Sequence, residues 1–368
     1  MPRIRPSLLY KAYNISPHLP KLLPACRDIP SALNELRWIR EHVASLPRRL
    51  TSAPQGSPAA INRRIAAMCT QRQRRVPLQY ILGTQPFGNL DIKCATGVLI
   101  PRPETEAYTV HLAELLLLPN QQSRRCDHDG KLHVLDFCTG TGCIPLLLYS
   151  LLAKHFPRIH VAGVDISPAS LDLAWENLKS AVAAGQIPPP DKNRAVSFIR
   201  GNVFDRDWIL KTLGHTGWDV LICNPPYVSR EAWKFGRNEL SYSARRYEPK
   251  LALVPDDDLQ RPDGWRHEDA FYATLLDVAE LLKPKMLLLE VGDEAQASRV
   301  LSLAAQHPYV ASRRCELWRD HPDVEPGDFE HKGAKSSNHQ IRDTAGNALG
   351  IPVRGVGAIR SIVVLASI

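Results

Sequence analysis

The chain has 368 residues, 46 of them Lys or Arg against 38 Asp or Glu, for a formal net charge of +8. That length suits roughly two domains with buried cores, and 44% hydrophobic with 23% charged residues excludes a wholly disordered chain. The charge is uneven: residues 1–103 carry 16 basic and 4 acidic side chains (Asp28, Glu35, Glu41 and Asp91), net +12, and the remainder is net −4.

Residues 1–28 read as a basic arm or a mitochondrial presequence. Arg3, Arg5, Lys11, Lys21 and Arg27 precede the first acid, as in a presequence, but five prolines oppose the amphipathic helix that import requires. From Ile29 the pattern turns helical. Ser31 can cap, and Ala32, Leu33, Leu36, Ile39 and Val43 share a face. A loop at 51–58 leads to a second helix over about 59–74, with Ile61, Ile65 and Met68 inward and Arg63, Arg64, Arg72, Arg74 and Arg75 outward. No acid lies between Glu41 and Asp91, which favours a docking surface over a merely solvated face. Residues 29–76 are therefore expected to form a helical substrate-docking domain. Residues 77–103, punctuated by Gly83, Pro86, Gly88 and Gly97, predict a β-hairpin linker, and Glu104 and Glu106 then suit a helix N-terminus.

The remainder, 104–368, alternates apolar strands with helices. Strands are expected at 132–137, 159–164, 196–199, 220–223, 286–291, 312–318 and 361–365, and helices at 106–118, 143–154, 168–184, 268–282 and 294–306. This predicts an α/β fold with a doubly wound, largely parallel sheet, whose ligands bind at the strands' carboxyl ends. The longest apolar run, 144–153, contains Pro145 and is far short of the ~20 residues of a membrane span. The eight cysteines form no Cys-x-x-Cys pair, so no metal site is expected, and unpaired thiols fit a reducing compartment.

Three strand ends carry the special residues. Asp136 leads into Cys138-Thr139-Gly140-Thr141-Gly142, which is neither a dinucleotide fingerprint nor a Walker loop. Asp165 closes the next strand, where a carboxylate can hold a ribose. Together they read as a nucleoside-cofactor site without a full phosphate cradle, favouring S-adenosyl-L-methionine over NAD. The third end is Asn224-Pro225-Pro226-Tyr227. The Asn side-chain oxygen and the Pro225 carbonyl can accept both hydrogens of a planar NH2 group, and Tyr227 can pack on its face. Gripping both hydrogens raises electron density on nitrogen and aims its lone pair at a methyl donor. No general base is needed if the proton leaves after transfer. The chemistry implied is N-methylation of an amide or exocyclic amine, so an RNA or DNA N-methyltransferase stands as the alternative. A third reading, a catalytically silent binding protein on this scaffold, is opposed by the intact Asp136, Gly140, Gly142, Asp165 and Asn224.

These residues resemble the release-factor glutamine methyltransferases of the HemK/PrmC type. The resemblance rests on P-L-Q-Y-I-L-G-T-Q-P-F-G (77–88), V-L-I-P-R-P-E-T-E (98–106), D-F-C-T-G-T-G (136–142), N-P-P-Y-V (224–228), R-Y-E-P-K-L-A-L (246–253) and L-L-L-E-V-G (287–292). It implies a seven-stranded class I S-adenosylmethionine-dependent methyltransferase sheet. The implied activity is methylation of N5 of the glutamine in the Gly-Gly-Gln motif of class-I peptide chain release factors. Carried over, Asp136 and Cys138 to Gly142 would serve the methionine portion of the cofactor, Asp165 the ribose, and Asn202 and Val203 the adenine. Asn224, Pro225, Pro226 and Tyr227 would hold the glutamine amide, with Arg102 and Glu106 bordering the site or else serving as a structural ion pair or helix cap. The resemblance further implies a monomer without stable nucleic-acid binding. The fused N-terminal domain resembles the organellar form, which implies the mitochondrial matrix over the cytoplasm. Three departures stand out: Cys138 where Gly is usual, Asn202-Val203 for an acidic–aromatic pair, and a long polar insertion at about 320–358, read as a disordered surface segment in preference to a partner-binding loop. Arg360 matches a family arginine in the last strand.

Overall fold

A computed structural model describes residues 3–46, 57–118, 130–236, 240–325 and 338–366. Four helices open the chain, Pro6–Ile15, Leu19–Cys26, Ile29–Ser45 and Pro58–Gln73, and the first two fall in the stretch expected to be an arm or presequence. Their prolines sit mostly where a helix tolerates them, Pro6 and Pro20 in first turns that have no partner for an N–H. Pro24 lies inside the second helix, which ends two residues later at Cys26 and is capped by the left-handed Arg27 (φ 70°). Ala12, Leu19, Leu22 and Leu23 are fully buried against Ala32, Leu36, Ile39, Met68 and Cys69. The helical unit thus begins at Pro6 and not at Ile29. Within it, Asp28 caps the third helix, its carboxylate accepting from the Ser31 N–H at 2.7 Å and the Ser31 hydroxyl at 2.8 Å, so Ser31 is not itself the cap. Ile61, expected inward, is exposed, and Ile65, Met68 and Cys69 take the core. Most of the 51–58 loop lies outside the described residues.

The linker is a hairpin over only part of its expected length. Leu78–Leu82 forms a helical turn ended by Gly83 (φ 81°), and β1 (Thr84–Phe87) pairs antiparallel with β2 (Leu90–Lys93). Pro103–Leu117 follows as a helix with Glu104 and Glu106 in its first turn.

The sheet comprises β3 (Lys131–Phe137), β4 (Arg158–Asp165), β5 (Arg194–Arg200), β6 (Val220–Cys223), β7 (Met286–Glu290), β8 (Arg314–His321), β9 (Asn338–Arg342), β10 (Ala348–Arg354) and β11 (Val356–Leu365). Its order is β5-β4-β3-β6-β7-β11-β8-β10-β9. The strands from β5 to β7 run parallel, and β11 is antiparallel to both β7 and β8. Apolar cores cover both faces, as parallel strands require. These first seven positions form the expected seven-stranded class I methyltransferase sheet. Beyond it, the insertion read as disordered supplies two more strands. The β9–β10 hairpin extends the edge at β8 because Ile341 and Ile351 bury their side chains in the core on that face. Residues 326–337 of the insertion lie outside the described set. Strand order reverses between β3 and β6, which puts the ligand crevice of such a sheet at their carboxyl ends.

Candidate active site

A cavity of about 390 Å³ opens at that point. Of the residues expected there, Arg102, Cys138, Thr139, Gly140, Thr141, Asp165, Asn202, Val203, Asn224 and Pro226 line it, and Glu106, Asp136, Gly142, Pro225 and Tyr227 do not. After β3 the backbone turns through left-handed conformations at Cys138 (φ 58°), Gly140 (φ 54°) and Gly142 (φ 75°). Cys138 therefore occupies a conformation that favours glycine. At Gly142 packing adds a second constraint: a Cβ would sit 2.9 Å from both Ala174 and Phe198, so the missing side chain lets the turn pack closely against the helix Pro168–Ala183 and β5.

Asp165 ties the turn to β4. Its Oδ2 accepts from the Gly140 N–H at 2.8 Å and its Oδ1 from the Ser167 N–H at 2.9 Å, and burial raises its pKa despite these bonds. Asp136 lies beneath the turn, fully buried. Neither of its carboxylate oxygens makes a well-formed hydrogen bond among the described residues, and the Thr139 hydroxyl beside it is the one group that opposes the effect of burial. Burial pushes this carboxyl well above the ordinary range. The lining holds three carboxylates, Asp165, Asp256 and Asp258, and among its described residues one cation, Arg102, which is bound to Glu248. Such a lining disfavours phosphates and suits a nucleoside carrying positive charge, which fits S-adenosylmethionine.

Val203 lines the cavity together with the apolar Phe204 and Ile166. Phe204 stacks edge-on against Phe271, ring centroids 4.8 Å apart, and supplies an aromatic one position after the Asn202-Val203 pair. Asn202 holds this loop by accepting the Phe204 N–H at 3.1 Å through Oδ1.

At the end of β6, Asn224 donates from Nδ2 to Thr105 Oγ1 at 3.4 Å, and Thr105 donates to Glu290 Oε2 at 2.7 Å. Tyr227 does not face the cavity as expected. Its hydroxyl donates to Glu290 Oε1 at 3.1 Å and its ring packs over Gly292, because the two prolines carry the chain back onto β7. Glu290 is buried. Burial raises its pKa, opposed by the Thr105 hydroxyl and the Arg360 guanidinium. Thr105 and Glu290 were not singled out from sequence, and an acid ending the apolar strand β7 beside β6 was the available signal.

The 97–106 strip, which lines the cavity from Gly97 to Arg102, is fastened by an ion pair. Arg102 Nη2 donates to Glu248 Oε1 at 2.8 Å and Oε2 at 2.9 Å, and Glu248 also accepts the Ile100 N–H at 3.2 Å. Glu106 stays in the first turn of its helix. The segment carrying Glu248 also grips the helical unit: Tyr247 and Ser243 hydroxyls donate to the Arg74 and Arg75 carbonyls at 2.8 and 2.7 Å, and Arg75 lies over the Tyr242 ring at 4.9 Å. Arg72 is paired with Glu35 through two 2.7 Å bonds. Of the five arginines expected on an outward face, Arg72 and Arg75 are therefore structural, and Arg63 and Arg74 are the exposed ones.

No family model matches the chain. The chain is 32% identical over 311 residues to the mitochondrial MRF1 N(5)-glutamine methyltransferase MTQ1 of Saccharomyces cerevisiae, covering 83% of this chain and 85% of that one. It is 35% identical over 307 residues to the probable mitochondrial MRF1 N(5)-glutamine methyltransferase mtq1 of Schizosaccharomyces pombe, covering 82% and 89%. Against the release factor glutamine methyltransferase of Geobacter sulfurreducens it is 32% identical over 238 residues, covering 64% and 67%.

Proposed function

The chain belongs to the release factor glutamine methyltransferase family, and from that premise we propose that it methylates a mitochondrial class-I peptide chain release factor in support of translation termination. The acceptor is N5 of the glutamine in the Gly-Gly-Gln motif. The observation that carries this reading is at the end of β6: Asn224 commits its Nδ2 to Thr105, whereas its Oδ1 and the Pro225 carbonyl take no hydrogen bond among the described residues. Two such acceptors match the two hydrogens of a primary amide. An amide nitrogen is a poor nucleophile because its lone pair is delocalised into the carbonyl. Holding both hydrogens fixes the plane of the group and raises electron density on nitrogen, so the gain comes from positioning and electrostatics. S-adenosylmethionine, when bound, supplies the electrophilic methyl group. The turn at Cys138 to Thr141 and Asp165 would hold it, with Val203, Phe204 and Ile166 beside the base and Asp136 as the buried counter-charge. The proton leaves nitrogen after transfer, so no base is required in the transition state.

The helical unit is proposed to help grip the release factor through its exposed basic residues, with the chain acting as a monomer and holding no nucleic acid stably. Incubation with labelled S-adenosylmethionine is expected to label a Gly-Gly-Gln release factor, and to label neither its Gln→Ala variant nor bulk RNA. Label on RNA, or label undiminished in that variant, would overturn the reading.

The mitochondrial address is supported by the two fungal relatives and by the acid-free, basic stretch 1–27. Since the helices Pro6–Ile15 and Leu19–Cys26 contribute to a core, they are proposed to stay on the protein after import. Terminal sequencing of the protein recovered from mitochondria is expected to find them retained. A mature terminus beyond Arg27 would contradict this.

A further inference from the structure

The Asn224 amide can sit with either its oxygen or its NH2 toward the cavity, and only the oxygen can accept a substrate N–H. We propose that Thr105 and Glu290 are positioning residues that fix this choice, an inference that rests on Asn224 holding the substrate amide. Asn224 and Glu290 emerge abreast, because Cys223 and Leu289 are register partners on the parallel strands β6 and β7. Thr105, from the first turn of the helix Pro103–Leu117, bridges them. The Thr105–Glu290 contact is buried, with Thr105 2% and Glu290 1% exposed, and the part-buried Asn224 meets Thr105 at the cavity wall.

The order of donation follows from proton counting. A carboxylate only accepts, and a threonine hydroxyl has one proton to give. Glu290 takes that proton at 2.7 Å and meets a second donor, the Tyr227 hydroxyl, at 3.1 Å. Only a lone pair of Thr105 Oγ1 then remains for Asn224, which must turn its NH2 to it. Oδ1 is thereby presented to the cavity. If Glu290 were replaced by a donor, the sequence could reverse, with Thr105 donating to Asn224 Oδ1 and the NH2 confronting the substrate NH2.

The test compares variants in steady-state methylation of the release factor, with cofactor Kd read by calorimetry. Thr105→Val removes the hydroxyl at nearly constant shape and is expected to lower kcat roughly 10- to 100-fold. KM for the release factor and the cofactor Kd are expected to hold within about twofold. Thr105→Ser should recover most of the activity. Glu290→Gln leaves Thr105 in place yet should lower kcat comparably, and the double variant should fall little further than the worse single one, since both act through one group. A merely structural role would instead weaken cofactor binding and would not confine the loss to kcat. Unchanged kcat in Thr105→Val, additive losses, or no recovery with serine would overturn the relay. A wild-type protein inactive on Gly-Gly-Gln would overturn the premise instead.

Discussion

Removing residues 1–27 tests whether the basic N-terminal stretch is a detachable address or part of the fold. The deletion takes away the helices Pro6–Ile15 and Leu19–Cys26 and with them Leu19, Leu22 and Leu23, each at 0% exposure. At about 1.5–3 kcal/mol per fully buried leucine, these three side chains alone contribute about 5–9 kcal/mol. The loss also strips cover from Leu36, Ile39 and Met68 and removes the bonds of His18 to Asn62 at 2.8 Å and Lys21 to Thr70 at 3.0 Å. Against a domain stability of about 5–15 kcal/mol, the remaining two helices cannot hold together. The cofactor cavity begins at Gly97, so it should survive. The truncated protein is expected to lose far-ultraviolet helical signal and to be cleaved rapidly by trypsin within 29–76. It should bind S-adenosylmethionine normally and fail to methylate the release factor. A truncated chain with wild-type protease resistance and wild-type methylation would refute the argument.

Asp136→Asn should weaken S-adenosylmethionine binding by about tenfold or more, the scale of a lost interaction with a charge. Because burial raises this carboxyl, the folded state holds its proton longer than the unfolded chain does. The wild-type apoprotein should therefore lose stability as pH rises above the ordinary Asp range, and Asp136→Asn should lose less over the same interval in thermal melts; an apoprotein variant less stable than wild type at pH 8 would contradict this. Asn224→Ala should abolish methyl transfer while largely sparing cofactor affinity, and an equal loss of cofactor binding by calorimetry would mean that the role is misassigned. Arg72→Gln should destabilise the helical unit by about 3 kcal/mol in denaturant titrations, since it leaves Glu35 with no ion partner in a largely buried site. Neutralising Arg63 and Arg74 together should change stability by less than about 1 kcal/mol while weakening release-factor affinity most at low salt, and a flat salt dependence would make them a solvated face only.

Sequence alone determined the alternation of strands and helices, the carboxyl ends at which Asp165 and Asn224 stand, and the class of chemistry that an Asn-Pro-Pro-Tyr corner implies. Those features are local: periodicity identifies a buried strand, and the residue ending it necessarily emerges at the sheet's rim. Tertiary structure decided what neighbouring side chains do with one another. Thr105 and Glu290 are 185 residues apart, Arg102 and Glu248 146, and Tyr227 and Glu290 63. Nothing in local pattern states that Arg102 is spoken for, or that Tyr227 turns from the cavity to Glu290. The same holds for the N-terminal stretch, whose prolines read as helix breakers until Pro6 and Pro20 fell in first turns and its leucines met Leu36 and Met68. The β9–β10 hairpin shows the limit in the other direction. Its strands are polar on the outer face and bury chiefly Ile341 and Ile351, so they are ordered by the edge of β8 and not by their own composition.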